Sequence, residues 1–514
     1  MIRSRLRRLA VTALAVLIAC CSLPTSAFAQ SKRYVWAGYA RTPQHDALGD
    51  VASQPFDQIR WQTPVDLMPQ YVGTFLLIHY GSPLATRKNT IVVPVKTGQF
   101  GGFRVDARRG TDGGLIWTHS SDYVLPPHNW TPSFAPAIGK NKLWIPGAGG
   151  TLESRTRIDT GVNARVSRVA FYGMESYTAN PSEYDATVFI NTPLTVDKSG
   201  NVYFGFQVTG VNPSGLEGGI ARVSNRGVGT WVTAAAASGD PTMTKVPHGS
   251  APAVTRNGKT VYVAVSDADG WGSGVGYLLA LDAKTLATRG SVRLRDPKVP
   301  TNDAFLNDNG TSSPTIGPDG DVYLGVLENP FPSNHARGWL LHFDQNLQPA
   351  GAPGAFGWDD TASIVPAEIV PSYVGLSEYL VMTKYNNYAG VGGDGVNKVA
   401  VLDPNGTMTD PISGISVMDE VLTVAGPTPD DDFPSNPNAV REWCINTAVV
   451  DPKTGSILVN NEDGKLYRWD LASNTLADEM VLTAGIGEAY TPTILGPDGT
   501  VYAINDAKLF AVGQ

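Results

Sequence analysis

Ser313-Pro-Thr-Ile-Gly-Pro-Asp-Gly-Asp-Val-Tyr-Leu-Gly-Val326 and Thr491-Pro-Thr-Ile-Leu-Gly-Pro-Asp-Gly-Thr-Val-Tyr-Ala-Ile504 are two copies of one unit. Each reads as a short strand, an Asp-Gly turn and a second strand. Asp-Gly suits a hairpin because both residues tolerate positive φ. The second strand of this unit recurs near Ile91, Leu143, Val202, Val261, Val322, Leu380, Ile457 and Val501, mostly about sixty residues apart. The sixth step is lengthened by an insert around Pro427–Asn438.

A third strand follows in each unit, as in Tyr277–Asp282, Trp339–Asp344 and Lys465–Asp470. A more variable fourth follows that, as in Leu115–Ser120 and Gly229–Ala234. Four antiparallel strands repeated eight times predict an all-β, eight-bladed propeller. Units are expected to start near residues 82, 135, 192, 251, 313, 368, 446 and 491. The last unit ends after three strands, and Gln58-Ile-Arg-Trp61 has the character of the missing one. Closure of that kind removes an exposed sheet edge. Seven blades are the alternative, because the second and sixth units are degenerate.

Residues 1–29 read as an export signal. Arg3, Arg5, Arg7 and Arg8 precede an apolar run from Leu9 to Ala19, and Ala27-Phe28-Ala29 supplies a cleavage site after Ala29. Leu17-Ile18-Ala19-Cys20 offers a lipoprotein signal as the rival. A secreted or periplasmic location follows, with residues 30–514 as one propeller domain and no transmembrane segment.

The signal holds four arginines and no acid, leaving 35 basic against 47 acidic side chains in the remainder, a net charge of −12. That excludes a basic nucleic-acid footprint. Only Cys444 survives processing, so no internal disulfide forms. A closed, monomeric propeller is expected, and it needs no such staple.

The order Ser/Thr/Ala-Pro, Asp-Gly, Val-Tyr, Leu-x-Leu-Asp resembles the pyrroloquinoline-quinone (PQQ)-like repeats. Val105-Asp106-Ala107 with Gly110 and Trp117 resembles the family's Ala-x-Asp-x-x-x-Gly-x-x-x-Trp tail, with an insertion. Trp36 and Pro43-Gln44-His45, followed by Ile59-Arg60-Trp61, are similar to the lead-in of secreted members. The resemblance implies the quinoprotein alcohol dehydrogenase-like fold. It implies little about activity, since the family holds quinone dehydrogenases and non-catalytic scaffolds alike.

Strand direction separates two faces. First-to-second and third-to-fourth connections are tight and share one face. Second-to-third and blade-to-blade connections share the other and are long, as at Ser266–Gly276, Glu328–Arg337 and Tyr385–Asn397. A rigid scaffold presenting long loops predicts binding on that face. The residues preceding each inner strand should ring the channel mouth there: His79, Tyr80, His128, Trp130, Asn191, His248, Asp308, Glu442, Glu488 and Tyr490. Trp130, Trp271, Phe331 and Tyr388 add aromatic surface suited to sugars or a protein partner. In PQQ dehydrogenases, which the repeats resemble, the cofactor sits at this level.

The residues lack a full catalytic set. No adjacent cysteine pair survives, and the calcium-binding carboxylates of the quinone enzymes have no matching motif. Asp267-Ala-Asp269-Gly270 begins like a calcium loop but has Leu278 where a twelfth-position Glu is required. Asp430-Asp431-Asp432 reads as a solvated loop, and Cys444 as a buried structural thiol. No metal site and no cofactor is expected. The favoured expectation is a non-catalytic binding or scaffold protein for a protein, peptide or glycan. The alternative is a PQQ- and calcium-dependent alcohol or sugar dehydrogenase.

Overall fold

The computed structural model describes residues 36–514 except 73, 74, 269–273, 309, 311 and 485–489. The proposed signal, its cleavage site, Glu488 and Trp271 lie outside the described residues.

Eight antiparallel sheets form an eight-bladed propeller, which removes the seven-blade alternative. The inner strands are Leu84–Ala85, Ala137–Gly139, Thr195–Val196, Ala253–Val254, Thr315–Ile316, Ser363–Pro366, Val449–Asp451 and Ile494–Leu495. They are short, and all but Ala137–Gly139 are fully or mostly buried. Each pairs with a longer second strand rich in Val, Ile and Tyr, such as Thr260–Ser266 or Val501–Asn505. Such residues suit a strand that packs on both sides. The Asp-Gly turns place Gly320 at φ 101° and Gly499 at φ 85°, as a tight hairpin requires.

Gln58–Pro64 pairs antiparallel with Lys508–Gly513, so the amino-terminal strand completes the eighth blade. Trp61 Nε1 donates to Gly110 O at 2.9 Å and fastens that closure to the first blade. The sixth blade starts at Ser363, upstream of the expected Glu368, which instead lies in a 3-10 turn at Ala367–Ile369. The fifth blade has three regular strands, and its outer edge is held by bridges Leu340–Gly354 and Phe343–Pro349.

The sequence signals did not expose the path of residues 36–54. This strap reaches every blade, and its main-chain bonds meet them in order, while the His45 side chain reaches back to the third. Trp36 bridges Ala85, and Ala37 O accepts the Ile138 N–H at 2.6 Å. His45 reaches Thr195 Oγ1 at 3.4 Å. Pro43 O, Gln44 O, Asp46 O and Ala47 O then accept the N–H groups of Val254, Ile316, Ile364 and Val450, at 2.7, 2.9, 3.0 and 3.0 Å. Gln54 N–H reaches Gly499 O at 2.8 Å in the eighth blade. Most of these bonds meet the inner strands toward their tight-turn end. The strap therefore lines that end of the channel and satisfies inner-edge donors that would otherwise be exposed.

Candidate functional site: the channel mouth on the long-loop face

Strand register places Thr192, Ser250, Ser312, Asp360, Asn446 and Thr491 at equivalent positions, just ahead of their inner strands. Thr192 Oγ1 accepts the Gly205 N–H at 2.9 Å, and Ser312 Oγ accepts the Gly325 N–H at 2.8 Å. In the sixth blade a carboxylate plays that part. Asp360 Oδ2 accepts the Lys384 N–H at 2.7 Å and the Thr383 hydroxyl at 2.8 Å. Asp360 Oδ1, Ser250 Oγ, Asn446 Oδ1 and Thr491 Oγ1 are buried with no partner among the described residues.

Beside Asp360, Lys384 Nζ lies 2.8 Å from Asp359 Oδ2. Burial is the largest single influence and would lower the Lys384 pKa, but Asp359, Cys444 and Asp360 together more than offset it, so the ammonium persists. Burial pushes the Asp360 carboxyl up to about 7, with Lys384 opposing. The result is one fixed cation paired with Asp359, beside a second carboxylate, Asp360, that exchanges its proton near neutrality.

The same ammonium sits 5.7 Å from the Tyr490 ring centroid and 5.6 Å from that of Phe356. Tyr490 belongs to an aromatic trio. His79 and Trp130 centroids are 5.7 Å apart, His79 and Tyr490 5.0 Å, and Trp130 and Tyr490 5.6 Å. Trp130 and Tyr490 are half-buried, so the trio keeps an accessible side.

Elsewhere on the ring, Asp308 takes the Lys245 ammonium at 2.7 Å and the His248 N–H at 3.1 Å. The His248 ring donates from Nε2 to Gln207 Oε1 at 2.8 Å. Burial lowers its pKa to about 4 despite the Asp308 charge, so the imidazole is neutral.

The expected ring residues thus divide. His79, Trp130 and Tyr490 come together, as do His248 and Asp308, with His128 close enough to His248 to influence its charge. Tyr80 turns away and donates to Asp66 Oδ2 at 3.1 Å, inside a buried Asp66–Lys96 pair. The Asn191 amide is tied to Val246 O at 2.7 Å. Glu442 joins Cys444 and Glu462, with their ligand atoms all within 4.8 Å of one another. Trp130, Phe331 and Tyr388 are all partly buried rather than fully exposed. Asp430 is not a solvated loop residue: it is buried against Arg441 Nη1 at 2.9 Å, while the Asp431 and Asp432 side chains stay exposed. The loop Glu328–Arg337 is pinned from within, Glu328 accepting N–H groups of Ala336 and Gly338 at 2.7 and 2.8 Å.

Asp359, Asp360, Lys384 and Glu462 are the residues that sequence reasoning missed. Trp358-Asp359-Asp360 precedes Thr361-Ala362-Ser363, which lacks the proline that marks most other units. Alignment on the strand pattern rather than the proline would have found it.

The propeller is similar in fold to solved quinoprotein dehydrogenases. A europium-containing methanol dehydrogenase superposes with a TM-score of 0.55 at 11% identity, covering 91% of this chain and 88% of that one. A quinohemoprotein alcohol dehydrogenase from Comamonas testosteroni gives 0.51 at 13% identity, covering 94% and 77%. A quinohemoprotein alcohol dehydrogenase from Pseudomonas putida HK5 gives 0.53 at 12% identity, covering 93% and 76%. At these identities the likeness establishes the fold. No protein-family model matches the chain, and no curated protein matches its sequence. Among the described residues no helix is long and apolar enough to cross a membrane.

Proposed function

We propose that this chain is an exported, quinone-dependent dehydrogenase that oxidises a hydroxyl-bearing substrate at the long-loop mouth. The observation that carries the reading is the Lys384–Asp359–Asp360 unit set beside the ring of Tyr490. PQQ is a flat polycarboxylate, and the donor set suits such a group. Trp130 and Tyr490 offer ring surface. Lys384 and the orphaned Thr491 hydroxyl offer donors to carboxylates. Once bound, the quinone supplies the two-electron acceptor that no amino acid provides. The protein's own part is orientation by the aromatic trio and proton uptake. Alcohol oxidation releases a proton, and Asp360, held near 7, is matched to receiving it. The resemblance to dehydrogenases that place their cofactor at this level supports the reading. The lost cysteine pair distinguishes this site from theirs.

The test is to add PQQ with Ca²⁺ to the mature protein and follow dye-linked oxidation of alcohols and sugars. Turnover that disappears in Lys384→Met, and also in the double variant Lys384→Met/Asp359→Asn whose circular dichroism shows the propeller retained, supports the proposal. A bound chromophore without turnover, or no bound chromophore, contradicts it.

One observation favours a binding role as a second reading. Phe100, at 73% exposure, stands with Met68, Tyr71, Val72 and Val124 among the exposed apolar side chains of the long-loop face. Beside Phe100 lies a groove lined by Pro126, Pro127, His128 and Phe189. A protein partner seated there would be lost with Phe100→Asp in a periplasmic pull-down, while PQQ binding would be unchanged.

A further inference from the structure

Glu442 and Cys444 precede the inner strand of the seventh blade, and Glu462 lies in that blade's connection between Ser456–Asn460 and Lys465–Asp470. The two segments are stitched together by hydrogen bonds. Glu462 N–H donates to Glu442 O at 3.2 Å, and Glu442 N–H donates to Glu462 Oε2 at 3.3 Å. This pairing converges two carboxylates and a thiol, with ligand atoms within 4.8 Å of one another. We propose that Glu442, Cys444 and Glu462 bind a divalent transition-metal ion, with zinc the best match to the donors.

The state of Glu462 is a separate observation in favour of a bound cation. It is only 7% exposed, yet its carboxylate meets one donor among the described residues, the long main-chain bond from Glu442. No ion pair reaches it among those residues. The two nearby cations are engaged elsewhere. Lys384 is held by Asp359 at 2.8 Å, and Arg441 is turned to Asp430 and Asp432 at 2.9 and 2.8 Å. Glu442, partly exposed, has no ion pair among the described residues either. Arg441 is the cation that acts on Glu462 but shares its charge with Asp430 and Asp432, and a buried carboxylate so poorly compensated is costly unless protonated or metal-bound.

The donor set selects the ion. A thiolate with two carboxylates is too soft for calcium or magnesium and suits zinc or cobalt. Bonds of about 2.0–2.3 Å in a tetrahedron put ligand atoms about 3.5 Å apart, a modest contraction from the present spacing. Three protein ligands leave a fourth position open, and the partly exposed Glu442 marks the side from which an exchangeable ligand reaches it. Cys444 binds as the thiolate, and its proton passes to solvent. This inference is independent of the quinone reading, and its test uses neither quinone nor substrate.

Cobalt titration of the full mature protein, stripped with a chelator, reads the site directly. The expected result is a saturable near-ultraviolet thiolate-to-cobalt band with a one-to-one endpoint, displaced by Zn²⁺. Cys444→Ser should remove the band. Glu462→Gln should weaken binding by at least about tenfold. Circular dichroism and melting of both variants show whether the propeller is retained. Anomalous scattering from zinc-soaked crystals of the unaltered protein gives a second measurement that needs no variant. No saturable band in the unaltered protein, a band that survives Cys444→Ser, or an anomalous peak elsewhere overturns the proposal.

Discussion

Lys384 Nζ and Asp359 Oδ2 stand 2.8 Å apart, with side chains 1% and 3% exposed. Lys384 comes from the second strand of the sixth blade, and Asp359 from the segment leading into its first. An ion pair this deep costs desolvation on both sides, and its removal one partner at a time is severe. Lys384→Met leaves Asp359 and Asp360 without their cation and should destabilise the protein by about 3–5 kcal/mol. The double variant Lys384→Met/Asp359→Asn should recover most of that loss. Calorimetric melting of the two variants checks this. Equal loss in both would mean that the pair is not what balances the site.

Buried titratable groups give stability an optimum in pH. His45 and His248 have pKa values lowered to about 4, both chiefly by burial. His45 donates from Nδ1 to Pro314 O at 2.8 Å, which holds it in the strap as the neutral ring. A lowered histidine favours the folded state above about 6.5, and that contribution is lost as pH falls toward about 4, on the order of 3 kcal/mol each. Asp360 works in the opposite sense. Its folded value near 7 lies above its unfolded one, so its contribution is complete below about 4 and lost as pH rises through about 7. The melting temperature should therefore peak at mildly acidic pH. His248→Gln should flatten the acid limb, and Asp360→Asn the neutral limb. Parallel curves for the variants and the parent would contradict the assignment.

Ring closure rests on Trp61. Its ring lies 5.6 Å from that of Tyr502, and its indole N–H is bonded to Gly110 O. Trp61→Ala deletes a buried aromatic at the joint between first and last blades and should cost about 3–5 kcal/mol. Hydrogen exchange should then quicken first in Gln58–Pro64 and Lys508–Gly513. A uniform increase over all blades would argue against the seam as the weak point.

The repeat was readable because each unit carries its own punctuation. An Asp-Gly or equivalent turn and a Val-Tyr strand survive wherever the local backbone demands them, so the repeat and its closing strand are legible, while eight blades rather than seven are settled by the sheets themselves. The sixth unit blurs where Ala362 replaces the usual proline, and its true start lies five residues ahead of the expected one. The site shows the same limit. His79, Trp130, Tyr490, His248 and Asp308 lie shortly before inner strands and could be found by counting. Lys384 and Glu462 come from a second strand and a following loop, which no spacing rule ties to the mouth. The strap is aperiodic and built of small residues such as Ala40, Ala47 and Gly49, so its course around the ring depends on tertiary hydrogen bonds.

On the proposed function, the long-loop mouth, walled by Trp130 and Tyr490 and charged by Lys384, holds a quinone. Equilibrium titration of the protein with PQQ and Ca²⁺, followed by tryptophan fluorescence and chromophore absorbance, decides this. The account predicts saturable one-to-one binding that weakens by at least about tenfold, or about 1.4 kcal/mol, in Trp130→Ala and in Lys384→Met. Absence of saturable binding, or equal affinity in the parent and both variants, would contradict it.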